Sequence, residues 1–293
     1  MASPAKLSPI AIHNILLATD FSPESQNAFL CAVAIARRYD STVLLTHVLP
    51  PEGSMGVGEL WASLGDTVRR GAEKSMARLE NTGELDSISH ETIIKSGITW
   101  DVISHTLDEK NVDLLVMGTH GDKAVKKLFL GSTAETASRH ASCPVLTVGP
   151  HVELGSWDRF HHILYATDFS SGSLSALTYA LALAEDDRAE LTLLHVIESE
   201  PASEAELLDW KRQDGERLRR MVPPGMDLAY EPEIELEVGI PDAEVVRLAD
   251  TRKTDLIVMG CHGGGALSTH MPWTTLHHVL RNAHCPVLTV RSK

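Results

Sequence analysis

Positive charge, paired cysteines and long apolar runs are all scarce in this 293-residue chain, and each scarcity removes a class of function. Twenty-six basic side chains stand against 40 acidic ones, a formal net charge of −14. Such a surface repels polyanions and anionic membranes at long range, so neither nucleic acid nor a membrane is an expected partner. The four cysteines, Cys31, Cys143, Cys261 and Cys285, are widely spaced and form no CxxC pair. That usage suits a reducing compartment, and Cys143 and Cys285, each just before a Val-rich run, read as small buried hydrophobes. No apolar run approaches the roughly 20 residues that span a bilayer, and the opening MASPAKLSPI lacks a hydrophobic signal core. A cytoplasmic location is expected. No GxxxxGK[ST], GxSxG or HExxH segment occurs, and Gly56-Val57-Gly58 lacks the third glycine of a dinucleotide fingerprint. A Walker-type phosphate-transfer engine is therefore not expected.

What the chain does have, it has twice. HNILLATDFS at 13–22 returns as HHILYATDFS at 161–170, DLLVMG at 113–118 as DLIVMG at 255–260, and CPVLTV at 143–148 unchanged at 285–290. The first pair is offset by 148 residues and the other two by 142, so one domain is present in two copies with a length change inside it. The copies are expected at 1–150 and 157–293, each long enough to bury its own core. GPHVELGSWDRF at 149–160 reads as a linker short enough that the domains pack against each other.

Within the first copy, apolar runs that suit strands buried on both faces alternate with helical patterns. Strands are predicted near Ile15–Ala18, Thr42–Val48, Ile93–Ile94, Asp113–Gly118 and Val145–Val148. Helices are predicted over 23–39, to about Leu79, over 100–109 and over 132–141. Ser22 followed by Pro23 reads as an N-cap and first helical residue. The second copy repeats the plan, with strands near 163–166, 191–196, 233–238, 255–260 and 287–290, and helices near 172–185, 203–221, 241–252 and 274–283. Strict alternation implies an α/β fold: two tandem domains, each an open five-stranded parallel sheet with helices on both faces, Rossmann-like.

Open parallel sheets bind ligands beyond the carboxyl ends of their strands. Thr19-Asp20, His47-Val48 and Gly118 all lie there. Beyond Gly118 come Thr119-His120-Gly121, nine residues, and then Gly131-Ser132-Thr133 at a helix start. Glycines permit positive φ and close approach, and a helix start offers unpaired N–H groups, so the expected guest is a phosphate. Lys123, Lys126 and Lys127 add positive charge, or form an ordinary solvated loop. Asp20 and Asp168 read either as ligand contacts or as local Asx-turns.

The spacing GxxG-x9-G[ST] resembles the nucleotide motif of the universal stress protein family, and with hhxxTD, hDhhVMGxHG and xCPVLxV the resemblance to a tandem member covers essentially the whole chain. It implies the family's fold, related to that of the adenine nucleotide alpha hydrolases. It also implies that Ala18, Thr19 and Asp20 line the nucleoside end of an ATP site, with Val48 against the base. Gly118, Gly121, Gly131, Ser132 and Thr133 would hold ribose and phosphates of ATP, ADP or AMP, with Mg²⁺ accompanying a triphosphate. The second copy departs from this motif. Asp168, Gly260 and Gly263 are present, but Trp273 stands in the place of Gly131, and Gly265, Ser268 and Thr269 replace the lysines. One nucleotide site per chain is expected.

Fifteen histidines include His270, His277, His278 and His284 in the second tail. His277 and His284 are seven apart, too far for the i, i+4 spacing that most readily shares a metal ion, so structural or surface roles are expected. His47, His195, His120 and His262 lie around the crevices as ligand contacts or local hydrogen-bonding groups. The leading functional expectation is a nucleotide-binding stress-response protein. In it the VLTV segments at 145–148 and 287–290 pair the two domains as a pseudo-dimer, and chains can associate into homodimers. The alternatives are a slow ATPase or adenylate-forming enzyme, for which no general base stands out, and a scaffold or metal-responsive module with vestigial pockets.

Overall fold

The computed structural model describes residues 10–51, 59–119, 131–152, 158–261 and 273–292, which fall into two compact units, essentially Ala11–Pro150 and Arg159–Lys293. In the first, the order is β1 (Asn14–Ala18), α1 (Pro23–Tyr39), β2 (Thr42–Leu49), α2 (Glu59–Glu80), β3 (His90–Ser96), α3 (Thr99–Glu109), β4 (Leu114–Gly118), α4 (Ser132–His140) and β5 (Val145–Val148). The strands are ordered β3-β2-β1-β4-β5 and all described pairings are parallel. The chain winds outward from β1 to β3, then crosses back to β4 on the other side of β1, so the order reverses between β1 and β4. There the loops leaving two adjacent strands diverge and leave a crevice.

Ile15, Leu16, Leu17, Leu115 and Val116 are fully buried, which explains why β1 and β4 read as unbroken apolar runs. Helix α1 begins where the sequence expects: Ser22 is the N-cap, Pro23 follows, and the N–H of Ser25 donates to Ser22 Oγ at 3.2 Å. It ends at Asp40, whose φ of 54° places it in the left-handed region. Asp113, before β4, accepts the N–H groups of His13 and Asn14 at 2.8 and 3.0 Å and so ties the starts of β1 and β4 together.

The second unit runs β6 (His162–Ala166), α5 (Ser171–Asp187), β7 (Glu190–Ile197), α6 (Glu204–Met221), β8 (Glu233–Val238), α7 (Pro241–Arg252), β9 (Leu256–Cys261), α8 (Trp273–Asn282) and β10 (Val287–Arg291), with order β8-β7-β6-β9-β10. Asp255 repeats the tie of Asp113, accepting from His161 and His162 at 2.8 and 3.0 Å. The edge strand β8 places Glu233 and Glu235 on Arg252 and Glu237 on Arg247, charges that discourage a further strand from adding there. No helix among the described residues is long and apolar enough to cross a membrane.

Candidate functional site

The crevice of the first unit begins where β1 stops. The Thr19 N–H still donates to Thr46 O of β2 at 2.9 Å, and the backbone then turns sharply through Phe21 at φ 66°. A non-glycine residue there needs support, and the neighbours supply it. Thr19 Oγ1 accepts the Phe21 N–H at 3.1 Å and donates to Ser25 Oγ at 3.1 Å, while Asp20 Oδ1 accepts the Ser22 N–H at 3.1 Å in an Asx-turn. His47, at the end of β2, holds the Thr19 carbonyl through Nδ1 at 2.7 Å and lays its ring 4.6 Å from that of Phe21. A carbonyl can only accept, so Nδ1 carries the proton and a neutral His47 keeps Nε2 as an acceptor.

The other wall is built from β4. Gly118 ends the strand, Thr119 N–H donates to Val148 O at 3.0 Å, and Gly131 N–H donates to Thr119 O at 2.7 Å, bringing the start of α4 back against the end of β4. Gly131 is the N-cap of α4, Ser132 and Thr133 its first helical residues, and no side chain among the described residues caps it. First-turn N–H groups without a cap, at the positive end of a helix dipole, favour an anion. Ala18 and Val48 are half-buried and Thr19 is buried, so the β1–β2 end supplies a partly apolar wall. Ala18, Thr19, Asp20, Val48, Gly118, Gly131, Ser132 and Thr133 thus gather at one end of the sheet. Gly121, His120, Lys123, Lys126 and Lys127 lie outside the described residues, as do His262–Pro272 of the second copy.

Two expectations about glycine need correction. Gly131 has φ −62° and ψ 138°, a conformation open to any residue, so left-handed freedom does not explain it. At Gly118 a Cβ would sit 3.1 Å from the Glu24 carbonyl carbon and 3.2 Å from Ser25 N. The lack of a side chain there admits the start of α1 and therefore serves packing.

The second crevice copies the first half of this site almost bond for bond. Thr167 N–H donates to Leu194 O at 2.9 Å, Thr167 Oγ1 contacts Ser173 Oγ at 2.9 Å and accepts the Phe169 N–H at 2.9 Å, and Phe169 has φ 62°. His195 Nδ1 holds Thr167 O at 2.8 Å, with its ring 4.3 Å from that of Phe169. Asp168 Oδ1 takes both the Ser170 N–H at 3.0 Å and the Ser170 hydroxyl at 2.5 Å, while Oδ2 is buried with no hydrogen-bond partner among the described residues.

Three features have no described counterpart in the first crevice. The Arg217 guanidinium of α6 lies 3.9 Å over the Phe169 ring, and Arg217 has no carboxylate partner among the described residues. Tyr165, wholly buried in β6 where β1 has Leu17, donates its hydroxyl to Ser173 O at 2.8 Å, and burial pushes that phenol up to about 12. Trp273, the first described residue of helix α8, is helical, whereas Gly131 caps its helix.

The sequence did not single out Ser22, Ser25 or their partners Ser170 and Ser173 as parts of the crevice frame. The recurring SxxS spacing was the signal available. Arg217 gave no signal, because α6 and the turn after β6 meet only in the fold. Away from the crevices, His278 pairs with Asp242 at 3.3 Å and His284 with Asp250 at 2.9 Å; no cluster of three metal-ligating side chains occurs among the described residues. Burial raises the Cys31 and Cys143 thiols to about 12 and Cys285 in the same direction, so they behave as packed apolar groups, although Cys143 is only partly covered.

A model of the universal stress protein family matches residues 11–149 and again 159–291. A universal stress protein of Mycolicibacterium smegmatis is 24% identical over 289 residues, covering 96% of this chain and 98% of its own. Universal stress protein A homolog 1 of Coxiella burnetii is 32% identical over 139 residues, 46% of this chain and 94% of its own. The crystal structure of a universal stress protein from Archaeoglobus fulgidus superimposes with a TM-score of 0.70 at 20% identity, covering 95% of this chain and 98% of that one, which shows the shared fold.

Proposed function

We propose, from the premise that this chain belongs to the universal stress protein family, that its first domain binds ATP or a closely related adenine nucleotide and acts as a nucleotide-responsive regulatory protein. The observation that carries this reading is the uncapped start of α4. Gly131 is held against the end of β4 by its bond to Thr119 O, and among the described residues the amides that follow have no side-chain cap. Those donors suit phosphates, the more so in a chain whose net charge of −14 otherwise repels them. Ala18, Thr19, Asp20 and Val48 form the nucleoside end, and Gly118, Gly121, Gly131, Ser132 and Thr133 the ribose and phosphate end. Magnesium accompanies a triphosphate, held by phosphate oxygens and water.

In this reading the nucleotide is a structural ligand and a signal. Binding only the folded state stabilises it by mass action, and a difference in affinity between two assemblies shifts their populations. Two chains associate into a homodimer whose population the nucleotide sets. Slow hydrolysis is the second reading. With Nδ1 committed to the Thr19 carbonyl, His47 Nε2 is the ring atom left to accept a proton there.

Native mass spectrometry of the purified chain tests the proposal. One adenine nucleotide mass per chain supports it, as does an apo chain that takes up one equivalent of added ATP. A chain that takes up none, or takes up two with equal affinity, refutes it.

A further inference from the structure

Two exposed patches of this chain complement each other in charge, one on α2 and one at the start of α6. Along α2, Leu64, Val68, Ala72 and Met76 recur every four residues and form one stripe. Ala72 and Met76 are covered, at 6% and 1% exposure, while Leu64 and Val68 stand 41% and 38% exposed, so the stripe continues past the surface that packing covers. Thr67 and Gly71 follow beside it, both exposed, with open space over Gly71. Beyond them Arg70, Lys74 and Arg78 make a row of exposed cations at four-residue spacing. Arg70 Nε donates to the Asp66 carbonyl at 3.2 Å, and none of the three cations pairs with a carboxylate among the described residues. Elsewhere Arg37, Arg139, Arg247 and Arg252 each sit on a carboxylate. Helical periodicity puts Asp66 and Glu73 on the far side of α2 from the stripe.

The start of α6, the counterpart of α2 in the second domain, carries the opposite charge. Residues 198–209, ESEPASEAELLD, hold five carboxylates and no lysine or arginine. Glu206 is committed to the helix start: its Oε2 accepts the Ala202 N–H, and its own N–H donates to Ser203 Oγ at 3.2 Å. Asp209 pairs with Arg212 at 3.1 Å. Glu198, Glu200 and Glu204 are exposed and pair with no cation among the described residues. Glu204 lies one turn before Leu208, which is 62% exposed, so carboxylate and leucine share a face.

We propose that α2 of one chain docks the α6 start of a second copy, Leu208 covering Leu64 and Val68 while Glu198, Glu200 and Glu204 meet Arg70, Lys74 and Arg78. Opposite charges fix the register and speed the encounter, and the leucines lose water at the centre. In a dimer with twofold symmetry the contact occurs twice, because each chain presents both patches. A net charge of −14 sets two chains against each other, but salt screens that repulsion beyond about 10 Å at 0.1 M, and at contact the local charges decide. This inference rests on the homodimer of the proposed function and names its surface; the identity of the nucleotide does not enter it.

Sedimentation velocity of the full chain over a range of concentrations and salt tests it, with native mass spectrometry reading nucleotide separately. The expected result is a reversible dimer that weakens as salt rises. Arg70→Glu with Lys74→Glu should weaken it about a hundredfold, and Glu200→Lys with Glu204→Lys about as much. Mixing those two variants should restore a dimer, because each then meets the opposite charge at both contacts. Should a charge-reversed chain fail to fold, Leu208→Ser decides, with an expected loss of about tenfold. A chain that stays monomeric, a dimer that these substitutions leave intact, or a mixture that does not pair overturns the proposal. If the chain takes up no ATP while the mixed variants pair, the nucleotide reading fails and this inference stands. If ATP binds and the chain stays monomeric, this inference fails and the nucleotide reading stands.

Discussion

The turn after β1 and the turn after β6 use the same residues for the same bonds, while the segments that start α4 and α8 have diverged. Thr19 and Thr167 each hold the amide two residues on and contact a serine of the following helix; Asp20 and Asp168 each close an Asx-turn; His47 and His195 each hold a carbonyl. Every one of these bonds supports a backbone turn with a non-glycine residue at positive φ. The repeated TDFS segment is therefore required by the fold whether or not a ligand is present. At the start of the fourth helix the two copies differ in sequence, Gly131 in one standing where Trp273 stands in the other.

The most severe test of this comparison moves the divergent feature across. Gly131→Trp gives the first domain the residue of the second, and ATP affinity is expected to fall about a thousandfold, roughly 4 kcal/mol, with the fold intact, as read by calorimetry. A variant that bound ATP normally would show that the two helix starts are equivalent.

Next comes the approach of the first helix to the sheet. A Cβ at Gly260 would stand 2.3 Å from Ser173 N and 2.4 Å from the Gly172 carbonyl carbon, against 3.1 Å for the nearest atom at Gly118. Both obstacles are backbone and cannot rotate away. Gly260→Ala should cost about 3 kcal/mol and Gly118→Ala about 1 kcal/mol in denaturant unfolding of the domain concerned. Equal costs would mean that α5 is no closer to its sheet than α1. Tyr165→Phe removes the hydroxyl that draws α5 inward and should cost about 1 kcal/mol, with no counterpart in the first domain, where Leu17 occupies that place. The smallest effect belongs to Arg217→Ala. Loss of an exposed cation over Phe169 should cost about 0.5 kcal/mol in thermal unfolding, and a cost above about 2 kcal/mol would show a structural role beyond the ring contact.

Much of this molecule can be read in the chain before it folds. The limits of α1, β5, β8 and α7 coincide with the periodic segments that predict them, because caps and prolines mark the helix ends and unbroken apolar runs mark strands covered on both faces. The weak third strand, visible in sequence only as Ile93-Ile94, extends over His90–Ser96; an edge strand has one neighbour and a wet face, so its apolar signal is short. Glycine misled in an instructive way. Gly118 and Gly131 suggested backbone freedom, yet one admits a helix and the other adopts an ordinary extended conformation.

Pattern and period were enough to determine two α/β domains with parallel sheets and the strand ends where a ligand would lie, because each depends on local preference and on which faces must be covered. Tertiary structure alone decided the order of the strands, that Asp168 buries one oxygen without a partner among the described residues, that Arg217 reaches Phe169, and that Gly260 presses on Ser173. Those facts depend on distances between segments far apart in the chain, and such distances come into being only when the sheet and its helices close upon each other.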